Sequence, residues 1–178
     1  VLETYKNDFL NNECEYKSSP KSGDYGTFDI NSTIKDINID AQNKNTPINL
    51  MGVKNVTVSN VTAYNANFGG IRLDACSDCL LIKNHIYDIK SVWGDGICVN
   101  RSTNIIVAFN TIHDITRIGI VSDTDMAGEV STNITAVYNT IYHAYGASGG
   151  ELNGGIWFEN TRGGVIHGNT VKDTNSVG

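Results

Sequence analysis

Four twelve-residue segments of the chain align on one another without gaps: "DCLLIKNHIYDI" (78–89), "NIIVAFNTIHDI" (104–115), "NITAVYNTIYHA" (133–144) and "GGVIHGNTVKDT" (163–174). Asn84, Asn110, Asn139 and Asn169 share one column, and three of the four continue as Asn-Thr-Ile or Asn-Thr-Val. Two earlier stretches, "STIKDINIDA" (32–41) and "KNVTVSNVTAYN" (54–65), fit less well and place Asp36 and Asn60 near the same turn, one residue out of register. A second column follows each segment after a loop of variable length: "INL" (48–50), "GIRL" (70–73), "GICV" (96–99), "IGIV" (118–121) and "GIWF" (155–158). Taking Ile48, Ile71, Ile97, Ile118 and Ile156 as equivalent gives steps of 23, 26, 21 and 38 residues. Segments that keep their order while the loops between them change length define a solenoid.

Each unit reads as three short strands, as in "NIIVAF", "TIHDI" and "GICV". Alternation along the last of these turns Ile97 and Val99 inward and Cys98 and Asn100 outward. Strands this short do not hold alone, but stacking on neighbours about 4.8 Å away gives them a continuous core. Asparagine tolerates the left-handed backbone of a sharp turn, and stacked amides can bond to one another up a column. A β-sandwich would need recurrent hairpin turns, and no Asn-Gly or Asp-Gly pattern recurs at regular spacing. In its asparagine column and its Gly-Ile strand starts, over roughly residues 26–178, the chain resembles the right-handed parallel β-helix superfamily of pectate-lyase-like proteins. The resemblance implies an all-β, right-handed parallel β-helix of about five to six coils, three short strands per coil, with an asparagine ladder. Residues 1–25 are expected to form a cap or irregular segment and 26–178 the β-helix. The chain stops where another Gly-Ile strand is due, so the solenoid is expected to continue in a longer protein or meet a partner such as the other subunits of a homotrimer.

Composition narrows the function. The chain has 13 Lys and Arg against 19 Asp and Glu, which disfavours nucleic acid, a ligand that needs a basic face. No apolar run approaches a membrane span, and "VLETYKNDFL" is not a signal peptide. Cys14, Cys76, Cys79 and Cys98 read as structural: "CSDC" (76–79) has the spacing of half a zinc site, but no second pair completes it. No residue is assigned to a metal, and nothing in the sequence marks a calcium site. His85, His113 and His167 read as polar residues beside the asparagine column.

In the superfamily the chain resembles, sugar chains lie along the groove lined by the strand after the variable loop. The outward residues of that strand are Asn49, Arg72, Asp74, Cys98, Asn100, Gly119, Trp157 and Glu159. Flat aromatic faces suit sugar rings, and carboxylates and amides suit hydroxyls. The expected substrate-binding residues are Arg72, Asp74, Asn100 and Trp157, with Trp93, His143 and Glu151 from the loops. Glycoside hydrolysis needs two carboxylates at a defined separation. Glu159 with Asp123 or Asp125 is one candidate pair, and Asp95 with Asp74 another. A lyase would need a base and a cation for the substrate carboxylate, with Arg72 the central candidate. The chain lacks the Asp-Asp pair and Gly-His-Gly of polygalacturonases, and the Asp-His pair and clustered Arg of pectate lyases. Two readings follow: a polysaccharide-processing enzyme, hydrolase or lyase, or a non-catalytic glycan-binding module such as a phage tailspike or surface adhesin. Both imply an extracellular, cell-surface or virion-associated setting.

Overall fold

The computed structural model describes residues 28–124, 129–146 and 154–174, all in strands and the turns that join them. The proposed cap (1–25), with Cys14, lies outside the described residues, as do Asp125 and Glu151. Three parallel sheets form the faces of a right-handed β-helix of about five turns. The first contains β1 (Phe28–Lys35), β4 (Val53–Ser59), β7 (Ser77–Ile82), β10 (Thr103–Ala108), β13 (Ser131–Val137), β16 (Thr161–Arg162) and β17 (Val165–His167). The second contains β2 (Asn38–Lys44), β5 (Thr62–Ala66), β8 (His85–Ile89), β11 (Thr111–Ile115), β14 (Thr140–Ala144) and β18 (Thr170–Thr174). The third contains β3 (Ile48–Met51), β6 (Gly69–Asp74), β9 (Asp95–Asn100), β12 (Ile118–Asp123) and β15 (Gly154–Phe158).

Alternation sends one residue in two to the axis, and these stack into ladders. Ile86, Ile112 and Ile141 form one, and Ile71, Ile97 and Ile120 another, all fully buried. The register corrects one sequence expectation. Ile120, not Ile118, pairs with Ile97 and Ile156, so the last two steps are 23 and 36 residues. Two isoleucines separated by one glycine fit either register by pattern alone. Gly119 therefore belongs not to the outward row but to a column with Gly70, Gly96 and Gly155, where the third sheet approaches the second. A Cβ on Gly96 would lie 2.4 Å from Ile112 Cγ2 and 2.6 Å from the Gly119 carbonyl oxygen. The Gly-Ile repeat is thus a contact between two sheets: glycine makes room for the isoleucine opposite.

The inner asparagine ladder is continuous. Asn84, Asn110 and Asn139 are each 1% exposed. Asn110 Oδ1 accepts from the Asn84 backbone N (2.9 Å) and Asn84 Nδ2 (3.0 Å). Asn110 Nδ2 donates to Asn139 Oδ1 (2.9 Å) and to the Leu81 carbonyl (3.0 Å). The same pattern joins Asn139 to Asn169. At the top, Val61 takes the ladder position and its N–H donates to Asn84 Oδ1 (3.0 Å), which leaves Asn60 and Asp36 one residue off, as expected. A second, outer column of left-handed residues runs through Asn55, Asp78, Asn104 and Asn133 (φ 53 to 59°), bonded side chain to side chain where Asn104 meets Asp78 and Asn133. Corners that require positive φ explain the wealth of asparagine. No disulfide joins Cys76, Cys79 and Cys98 to one another, and the first two are buried.

Candidate functional site

The outward side of the third sheet is built in two rows. Strand pairing places Asn49, Arg72, Cys98, Val121 and Trp157 in one row and Asp74, Asn100 and Asp123 in the next. The loops entering β6, β9 and β12 add Phe68, Trp93 and Arg117, and β9 itself opens on Asp95. Together with Thr46, most of these enclose a cleft of about 230 Å³.

Asp95 is a strongly perturbed group in the cleft. It is 5% exposed. Its Oδ2 accepts from Arg117 Nη1 at 2.8 Å and its Oδ1 from the Ile118 N–H at 3.2 Å. Burial pushes the carboxyl up to about 7, and the neighbouring Arg117 guanidinium offsets only part of that rise. Arg117 in turn lies under the Trp93 ring, 5.2 Å from its centroid. Arg72 stands across the cleft over the Phe68 ring (5.7 Å). With its amide oriented to satisfy both neighbours, Asn100 accepts from Arg72 Nη2 (2.9 Å) and donates to the Asp123 carbonyl (3.2 Å). The arrangement sets two guanidinium groups around a carboxyl that ionises near neutrality, with an aromatic ring beside each cation.

The expected site residues separate into three groups. Arg72, Asn100, Trp93, Asp95 and Asp123 line the cleft. Trp157 and Glu159 lie on the same face one coil further along: Trp157 Nε1 donates to Glu159 Oε2 (3.2 Å), and neither residue lines the cleft. Asp74 and His143 depart from expectation. Asp74 is 3% exposed and gripped by Arg101, whose Nε and Nη2 bond its two oxygens at 2.8 and 2.6 Å. It anchors the corner of the coil, with Arg72 Nη2 also 4.0 Å from its Oδ2, whereas Asp95 is held by Arg117. His143 belongs to β14 in the second sheet, where Nδ1 lies 3.1 Å from Asp114 Oδ1 and the ring stacks on Tyr145. His143 is therefore a strand residue and not the loop residue expected, since β14 runs on to Ala144.

Sequence reasoning missed Arg117 and Phe68. The two-residue register error hid Arg117: aligned through Ile120, it falls beside Gly94 and so next to Asp95 at the mouth of the third sheet. Phe68 precedes Gly69 in a turn whose length varies between coils, and no periodic signal marks it.

The chain matches the family model described as right handed beta helix region over residues 2–126, and it belongs to that family. Among solved structures it is similar to the periplasmic alginate epimerase AlgG, with a TM-score of 0.56 and 14% identity over 79% of this chain and 36% of that one. The chain therefore spans about a third of the epimerase's length, and at this identity the likeness is one of fold. No curated protein matches the sequence. No helix among the described residues is long and apolar enough to cross a membrane.

Proposed function

We propose that the cleft binds an acidic polysaccharide outside the cytoplasm and acts on it by proton transfer. The observation that carries this reading is Asp95, a buried carboxyl with a pKa near 7, between Arg117 and the Arg72 side of one small cleft. A group half ionised at neutral pH can take or give a proton with little driving force wasted. An arginine meets a uronate carboxylate with matched geometry, and neutralising that carboxylate acidifies the C–H bond on the adjacent carbon. Arg72 is the cation placed for this role, held by Asn100, by Phe68 and, at 4.0 Å, by Asp74, while Arg117 holds Asp95. In the ionised state Asp95 removes the proton. If the neighbouring glycosidic C–O bond then breaks and the departing oxygen takes up a proton from Asp95 or water, the product is an unsaturated chain end; if water delivers a proton to the opposite face of that carbon, it is the epimer. Hydrolysis would need a second carboxylate working opposite Asp95, and Asp74, the other buried one, has both oxygens bonded by Arg101. The similarity in fold to an epimerase of an acidic polysaccharide supports the same substrate class.

The test is incubation with oligouronates and neutral glucans. Three readouts apply: ultraviolet absorbance of unsaturated ends, C5 configuration by NMR, and new reducing ends. Asp95→Asn should abolish turnover and leave binding, and Arg72→Ala should weaken binding of acidic chains by at least ten-fold. Binding without turnover on any substrate would replace the enzyme reading with that of a glycan-binding module. No binding at all would remove both.

A further inference from the structure

The second sheet carries a cluster that the cleft does not use. Its outward row stacks Tyr64, Tyr87, His113 and Tyr142, with ring centroids 5.1, 5.2 and 4.6 Å apart and planes within 7° of parallel. Lys172 caps the row over Tyr142. Because each ring covers its neighbour's face, the ladder offers few faces to a sugar. It does hold His113 rigidly, between Tyr87 and Tyr142, with Nδ1 2.7 Å from Asp114 Oδ2. That bond places the proton on Nδ1 and leaves the Nε2 lone pair pointing away from Asp114. Nε2 of His85, on the neighbouring coil, lies 2.8 Å from it.

We propose that His85 and His113 form a surface site for a divalent transition-metal ion of the Cu(II), Ni(II) or Zn(II) class. Imidazole nitrogens suit these ions. Metal–nitrogen bonds of about 2.0–2.1 Å set neighbouring ligand nitrogens about 3 Å apart. The two Nε2 atoms already stand near that separation, so the cation takes the place of the proton they share. His85 is exposed, and its ring is tilted 37° to that of His113, so it can turn to bring its lone pair onto the ion. Asp114 acts as the outer carboxylate that fixes a metal-bound histidine's tautomer and orientation. No group of three or more metal-ligating side chains occurs among the described residues, so water completes the coordination and the ion exchanges freely. The site is independent of the glycan cleft, which lies on the third sheet.

The test is titration of untagged protein with Cu(II), Ni(II) or Zn(II) alone, followed by calorimetry and by NMR of the histidine ring protons. The expected result is one saturable ion per chain, Cu(II) tightest as the Irving–Williams order requires, with the His85 and His113 signals responding together. His85→Ala, on an exposed side chain outside the core, should weaken binding at least ten-fold, and His167→Ala, away from the cluster, should not change it. Asp114→Asn should cost about ten-fold or more through the orienting bond. Absence of saturable binding, or a His85→Ala variant that binds like wild type, overturns the assignment.

Discussion

Replacing Asn110 by alanine removes one rung from the middle of the inner ladder, and the bonds on either side set the cost. The side chain makes four hydrogen bonds in a space closed to solvent. Its loss leaves two donors without partners, the Asn84 backbone N–H and one Asn84 Nδ2 hydrogen, and takes one donor from the Leu81 carbonyl. The alanine's own N–H still reaches Asn139 Oδ1, because that bond comes from the backbone. A buried donor left unsatisfied costs about 1–3 kcal/mol. A water in the vacated amide space would recover part of it, so we expect about 2–4 kcal/mol. Asn84→Ala should cost roughly half as much, since its Oδ1 serves a single donor, the Val61 N–H. The natural valine at position 61 shows why: at the end of the column nothing above depends on an amide. Equilibrium urea unfolding of the three proteins, followed by circular dichroism and by fluorescence, measures both values. Asn110→Ala within about 0.5 kcal/mol of wild type, or less costly than Asn84→Ala, would refute a buried, connected ladder.

Three further predictions follow from the same geometry. Gly96→Ala should destabilise by about 1–3 kcal/mol in the same urea assay, because its Cβ meets both Ile112 and the Gly119 backbone; an unchanged midpoint would mean that the sheets are not in contact there. Because the Asp95 pKa is raised to about 7 in the folded chain, the native state holds a proton that the unfolded chain releases above about 4. Stability should therefore fall as pH rises from about 4 to 7 and level off above, and Asp95→Asn should flatten that slope; a slope of equal size in the variant would assign it to other groups. Arg101→Ala should cost about 3–5 kcal/mol, since it strands the buried Asp74 carboxylate, and Arg101→Ala with Asp74→Asn should recover part of the loss in a double-mutant cycle.

The fold was legible in the sequence because a solenoid repeats its constraints. The Asn84–Asn169 column and the Gly-Ile starts each recur several times, and the structure gives each recurrence one physical cause, a buried amide bond or a sheet crossing. Legibility ended where the repeat became degenerate. "IGIV" presents two isoleucines two residues apart, and only pairing to Ile97 and Ile156 selects Ile120. That choice determined whether Gly119 faced out and whether Arg117 entered the site. Asp74 alternates outward in pattern, yet Arg101, from the turn after β9 on the following coil, folds back to bury it, a contact no local pattern encodes. Residues in the cleft rows, Arg72 and Asn100, were readable because they follow the strand period. Trp93 and Asp95 were found as loop neighbours of that strand, whereas Phe68 sits in a turn with no period at all.

The most direct test of the account is calorimetric titration of the protein with a defined oligouronate, beside a neutral oligosaccharide of equal length, for wild type and Arg72→Ala. The account predicts saturable binding of the acidic chain alone, weakened at least ten-fold by the substitution. Equal affinity for both sugars, or an Arg72→Ala variant that binds the oligouronate as tightly as wild type, would contradict it.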